Sequence, residues 1–415
     1  MTPSISRTAF VLSASLTCLA SLAGAGYATA ADWDALEPSA HPRSEGTLIE
    51  HGGYIFHLNG FDAEIDIQNS VERFNVATGL WQTVAETTDA PGFPTALTHN
   101  GTVVIGDEAW LIGGRVGNHP GRVTDQIVIL NLESHTWRDG PELPVPFAGG
   151  GAALIDRNIH VFGGLDPNAR CDVDTHLVYD LDSPGAGWQD LSDSAPFPKP
   201  RNHFATAVLD GQIYAIGGQI GHDQCDALAK QRVQTPFVHV YDPASNDWDQ
   251  LDNLPWSQSH AEPSTFTHEG LIWSVGGLVQ GDRVLSYDPA VDEWTWRTDL
   301  ELPTKLLAPG ARILNGNRLH VFGGGSPDVR NPRTETWVTV VPELAAETVE
   351  ETVEETVEET VEETPEQAGP TGSLSVPTVD SQVEARKSGG GAVTLWLAGL
   401  MLSFSGYRRV RANRR

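Results

Sequence analysis

QIYAIGGQIGHDQCDALAKQRVQTPFVHVYDPASNDW, residues 212–248, carries both landmarks on which the reading of this chain turns. A hydrophobic stretch runs into a glycine pair, Tyr214-Ala215-Ile216-Gly217-Gly218. Later a second stretch ends at Tyr241, turns through Asp242-Pro243 and reaches Trp248 seven residues on. Aspartate and proline at the first corner suit a tight hairpin turn. The glycine landmark recurs as Trp110-Leu111-Ile112-Gly113-Gly114, His160-Val161-Phe162-Gly163-Gly164, Trp273-Ser274-Val275-Gly276-Gly277 and His320-Val321-Phe322-Gly323-Gly324, with a degenerate copy at Phe56-His57-Leu58-Asn59-Gly60. From Gly60 onward the closing glycines are 54, 50, 54, 59 and 47 residues apart. The tryptophan landmark keeps phase with them. Phe74 to Trp81, Leu130 to Trp137 and Tyr287 to Trp294 are also seven apart, and Tyr179 to Trp188 is nine, stretched by Ser183-Pro184-Gly185-Ala186-Gly187.

Two landmarks locked at a period near 50 residues describe a repeated four-stranded unit. The glycines are expected to let the second strand pack without side-chain bulk, and the aromatic pair to fill the gap between neighbouring units. One unit alone would expose both faces, so the copies must stack in a ring. Tryptophans 33, 81, 137, 188, 248 and 294 count six units. After Gly324 only one strand remains, Thr334 to Val341, so the strand around Trp33 is expected to complete the last unit. From about Trp33 to Val341 these motifs resemble the kelch repeat family of β-propellers. The resemblance implies an all-β fold over residues 31–343, a six-bladed kelch β-propeller closed by the N-terminal strand.

The ends read differently. Arg7, the apolar run Ala9 to Ala25 and the small-x-small pattern Ala28-Thr29-Ala30 predict a signal peptide over residues 1–30. Residues 344–388 read as a linker stalk. Glu-Thr-Val-Glu repeats with period four from Glu347 to Thr364, too weak a stripe for a core, and a Pro/Gly/Ser stretch follows. Residues 389–415 combine a glycine cluster, a 16-residue apolar run from Ala392 to Tyr407 that predicts a short hydrophobic helix, and a basic end from Arg408 to Arg415. That order resembles the GlyGly-CTERM sorting signal of Gram-negative bacteria, with a plain membrane anchor as the other reading. The resemblance implies transient anchoring in the inner membrane, a rhomboid-type sorting protease as partner, and delivery to the cell surface or beyond.

Charge excludes one class of partner. With 26 Lys+Arg against 55 Asp+Glu the net charge is −29, and about −25 of it belongs to the repeat body. Such a surface opposes binding to nucleic acid. After removal of the signal peptide only Cys171 and Cys225 remain. Both fall in second-to-third-strand loops of consecutive units, so in an oxidising compartment they are expected to form a disulfide.

Function is sought where the second-to-third-strand loops and the connections between units emerge on one face. The richest stretch supplies Arg201, Asn202, His203, His222, Asp223, His260 and Glu262. They read as a polar pocket at the channel mouth: Arg201 as a hydrogen-bond donor to anions or hydroxyls, the histidines as proton-transferring groups, the carboxylates as their partners. The same residues would equally serve as hydrogen-bonded ties between neighbouring blades. No H-x-x-x-H or C-x-x-C spacing points to a metal, and no cofactor is expected. Among propellers of this kind, copper-radical oxidases need two ligating tyrosines, and every tyrosine of the body is explained by the repeat. The expected activity is therefore a surface-displayed binding module for an extracellular glycan or protein. The alternative is a sugar-active, mutarotase-like enzyme using Arg201, His203 and Glu262.

Overall fold

The seven-residue spacing is that of directly opposed residues in a hairpin. Phe74 faces Trp81, Leu130 faces Trp137, Tyr241 faces Trp248 and Tyr287 faces Trp294 across adjacent strands. Tyr179 faces Trp188 in the same register, because a 3-10 turn at Pro184–Ala186 takes up the two extra residues. The opposed rings lie 4.9–5.3 Å apart, centroid to centroid, a favourable tilted arrangement.

The computed structural model describes residues 31–86, 97–168, 170–221, 232–326 and 328–342. The expected signal peptide, stalk and C-terminal hydrophobic helix lie outside the described residues, as do His222, Asp223 and Cys225. The chain divides into units 1–345 and 346–415, and all described residues belong to the first. Among them are six four-stranded antiparallel sheets, a three-stranded and a two-stranded ribbon, and 3-10 turns as the helical elements. Each sheet begins with an inner strand: Thr47–His51, Gly101–Ile105, Gly151–Ile155, Ala205–Leu209, Thr265–His268 and Gly310–Leu314. The sixth sheet takes its outer strand from the N-terminus. Asp34, Ala35 and Leu36 pair with Val338, Trp337 and Thr336, and the Trp33 indole donates to the Glu301 carbonyl at 2.8 Å.

The core lies between sheets. Ile49 and Phe56 of the first meet Leu111 and Leu130 of the second, Ile112 and Ile129 meet Val161 and Leu177, and Phe162 meets Phe204 and Tyr241. Tyr214 and Val240 meet Ile272 and Leu285, Val275 and Val284 meet Leu319 and Val321, and Phe322 of the sixth returns to Ile55 and Phe74 of the first. Each such side chain, fully buried, contributes about 1.5–3 kcal/mol. This nearly all-β arrangement is consistent with the expected kelch β-propeller.

The glycine pairs do more than the bulk-free packing expected of them. They lie just past the second strands, in the left-handed region, and serve as latches. The amides of Gly114, Gly164, Gly218, Gly277 and Gly324 donate to the carbonyls of Phe147, Arg201, Gln258, Leu306 and Arg43, each at the entry to the following sheet, at 2.6–3.1 Å. At Gly217 (φ 67°) a Cβ would collide with the Gln258 carbonyl oxygen. The close approach of the neighbouring backbone therefore forbids a side chain, on top of the conformational preference.

Candidate functional site

At the entry to each inner strand the chain makes the same short move. A first residue, Arg43, Leu97, Phe147, Arg201, Gln258 or Leu306, points into the fold. Two positions on, Glu45, His99, Gly149, His203, His260 or Ala308 adopts a left-handed backbone, with φ between 44° and 67°. Five of these six are not glycine, and such a conformation costs each roughly 1 kcal/mol. A belt of backbone hydrogen bonds holds them there. Gly149 donates to His99, His203 to Gly149, His260 to His203 and Ala308 to His260, at 2.8–3.3 Å. All six second residues line one cavity of about 390 Å³ bordered by the inner strands.

The side chains at this ring alternate in size. Glu45 and His99 stand on the first and second sheets, His203 and His260 on the fourth and fifth, with Gly149 and Ala308 between the pairs. The small residues let the large ones meet across them. The His99 and His203 rings are 4.9 Å apart, centroid to centroid, and His260 Nε2 lies 3.7 Å from Glu45 Oε1. His99 Nε2 is also 3.7 Å from Glu45 Oε2, and the His203 and His260 rings are 4.4 Å apart. In each histidine the residue just before it engages Nδ1: Thr98 Oγ1 at 2.8 Å, Asn202 Oδ1, and Ser259 Oγ at 2.6 Å.

Glu262 joins the cavity wall from a 3-10 turn, Glu262–Ser264. Burial pushes its carboxyl up to about 7. Burial and then the like charge of Glu262 push Glu45 up to about 8, against the pull of Arg232 and Arg115. Both groups therefore change protonation near neutrality. They can take or give a proton, or accept hydrogen bonds from a polyhydroxylated or amide-bearing ligand.

The expected site residues divide. His203, His260 and Glu262 face the cavity. Arg201 does not: it is fully buried, donating to the carbonyls of Gly217 at 2.7 Å, Pro198 at 3.0 Å, Ala215 at 3.1 Å and Lys199 at 3.3 Å, over the Phe197 and Phe204 rings. Burial lowers its guanidinium to about 9. Its role as a ligand donor gives way to a structural one, within a blade and not between neighbouring blades, because its donors are spent on its own second strand and the segment leading into its own inner strand. Asn202 is also buried, bonded to Asp172, Gln219 and His203, and acts by holding His203. Arg43 is the matching tie of the first sheet, reaching Asn59, Ser70 and Glu72.

Glu45 and His99 escaped the sequence reading. The signal was present, two residues before each of these inner strands, but these positions lie in sheets far apart in sequence from the fourth and fifth, which drew the reading. One convergence of possible ligand atoms was also not anticipated. Ligand atoms of Glu45, His203 and His260 lie within 4.8 Å of one another, and they come from three sheets, so no local spacing could announce them. At the other end of the inner strands, His51 Nε2 meets Asp107 at 3.3 Å and Glu133 at 3.4 Å, and both carboxylates are exposed.

Known proteins align with this architecture. The family profile described as the KLHDC2/KLHL20/DRC7 Kelch-repeats domain matches residues 99–325. Kelch repeat and BTB domain-containing protein 1 of vaccinia virus (strain Copenhagen) is 28% identical over 277 residues, which cover 65% of this chain and 44% of the viral protein. Its counterpart in cowpox virus (strain GRI-90 / Grishak) aligns to the same extent. Kelch repeat-containing protein At3g27220 of Arabidopsis thaliana is 22% identical over 320 residues, covering 72% of this chain and 73% of the plant protein. The chain thus accounts for less than half the length of the viral relatives.

Proposed function

The chain belongs to the kelch-repeat family, whose repeats are generally protein-binding modules, and from that premise we propose that it is an exported, six-bladed binding propeller that takes a protein or glycan ligand at the channel mouth. The carrying observation is the cavity of about 390 Å³ whose rim is set by Glu45, His99, His203 and His260. Six sheets joined by six inter-sheet clusters support the blade count. The signal peptide pattern, acidic stalk and GlyGly-CTERM-like tail support export, transient inner-membrane anchoring and release by a rhomboid-type protease in a Gram-negative bacterium.

In such a compartment Cys171 and Cys225 pair. The loop of Cys171 is closed by Asp166, whose carboxylate accepts from the Cys171 amide at 2.9 Å. The bridge would pin two loops of consecutive blades.

A second reading has its own observation. Two carboxyls poised at about 7 and about 8 beside three histidines are the equipment for moving a proton on a sugar hydroxyl. Arg201 has no part in it. Screening the full chain against glycan arrays and displayed peptides tests the first reading, with His203→Ala and His260→Ala as site variants. A ligand lost by both supports it, and a ligand retained by both overturns it. Turnover of any arrayed sugar would favour the second.

A further inference from the structure

We propose that the ring at the channel mouth is a divalent transition-metal site, with Glu45, His203 and His260 as its ligands and His99 as the fourth. The proposal stands apart from what the propeller binds, since it rests only on how four side chains from four sheets converge. The ligand atoms of Glu45, His203 and His260 lie within 4.8 Å of one another. The carboxylate of Glu45 stands between two imidazoles, with His99 Nε2 3.7 Å from Oε2 and His260 Nε2 3.7 Å from Oε1. A tetrahedral ion with bonds near 2.0–2.1 Å needs its ligand atoms about 3.4 Å apart. The two Glu45–histidine edges need to shorten by only a few tenths of an ångström to reach that length.

The surroundings are those of a ligand set. Each histidine is engaged at Nδ1 by an oxygen of the residue before it, Thr98, Asn202 or Ser259. Where Nδ1 donates to that oxygen, Nε2 carries the ring's lone pair, the tautomer in which metal-bound histidines are commonly held; at His203 the Gln219 amide nitrogen also stands 3.2 Å from Nδ1. Asn202 is itself fixed, accepting from Gln219 Nε2 at 3.0 Å. The backbone is committed as well, because Glu45, His99, His203 and His260 all hold φ between 50° and 57°. Gly149 and Ala308 add no bulky side chain to the ring. Three imidazoles and one carboxylate select zinc or a similar first-row divalent ion over magnesium or calcium, which prefer all-oxygen shells.

The test is zinc titration of the full chain after chelator treatment, read by calorimetry, together with anomalous diffraction at the zinc edge. One equivalent is expected to bind, with the anomalous peak among Glu45, His203 and His260. His203→Ala and His260→Ala should each weaken binding by about 100-fold or more, and Asn202→Ala by about 10-fold through loss of the oriented ring. His51→Ala, at the far end of the inner strands, should leave zinc affinity unchanged. If a variant fails to fold, judged by its melting curve, the anomalous peak of the parent protein decides alone. Absence of stoichiometric zinc, a peak elsewhere, or affinity that survives His203→Ala and His260→Ala overturns the proposal. Failure to capture any glycan or protein while zinc still binds would count against the binding-module reading only.

Discussion

Replacing Arg201 by alanine should unfold the protein more readily and leave the channel mouth chemically intact. The side chain is fully buried and donates to four carbonyls, two of them, Gly217 and Ala215, at the end of its own blade's second strand. Its guanidinium carbon stands 4.6 Å from the centre of the Phe197 ring and 5.2 Å from that of Phe204. Removing it orphans the Gly217 acceptor at about 1–3 kcal/mol, leaves Ala215 only its ladder pairing with His239, and empties the space over two rings. Against this, a buried cation without a carboxylate partner no longer has to be desolvated. A net loss of about 3–5 kcal/mol remains, from the orphaned acceptor and the cavity over the two rings together. For a body of about 300 residues that is a fall in Tm of roughly 5–8 °C. Thermal melts of the full chain followed by circular dichroism give the shift, and ligand binding measured well below the transition gives the second half. A variant that keeps its Tm within about 1 °C and loses ligand would refute the division into ties and rim residues.

Other outcomes follow from the same structure. His160 and His176 are buried side by side, His160 Nδ1 3.0 Å from His176 Nε2, and burial holds His160 down to about 3 and lowers His176. The unfolded chain takes up these protons below about pH 6.5 and the folded chain resists, so stability is full above that pH and drains away as pH falls. At pH 4.5 His160 alone should remove up to about 2–3 kcal/mol, and His160→Gln should shrink the difference between urea melts at pH 7 and pH 4.5. Reduction of the mature protein should add two hydrogens to its intact mass through Cys171 and Cys225, and an unchanged mass would remove the bridge. N-terminal sequencing of exported protein should begin at Ala31, and a chain still starting at Met1 would argue against the signal peptide.

The periodic part of this fold was legible because its landmarks are local. A seven-residue spacing is a hairpin register, and one tryptophan per repeat opposes one aromatic or aliphatic residue across it. The glycine pairs were found for an incomplete reason, since the latch they form joins a strand end to a chain entry 29 residues or more away, which a reading by strand patterns does not register. Arg201 stood out as a rare cation in an acidic body. Its rarity marks a structural demand, four carbonyls inside a blade, and says nothing of ligand. Glu45 and His99 stayed hidden because a channel site takes one residue from each of several sheets. Only the ring, once closed, brings positions 45, 99, 203 and 260 together.

The most direct test is to measure one captured ligand against variants at the two ends of the inner strands. Calorimetry with the full chain should show at least about a tenfold loss of affinity for His203→Ala and for His260→Ala, one well-placed polar contact being worth about 1.4 kcal/mol or more. His51→Ala, beside Asp107 and Glu133, should bind as the parent does. Loss of affinity in His51→Ala with full affinity in the other two would place the working face at the opposite end and contradict the account.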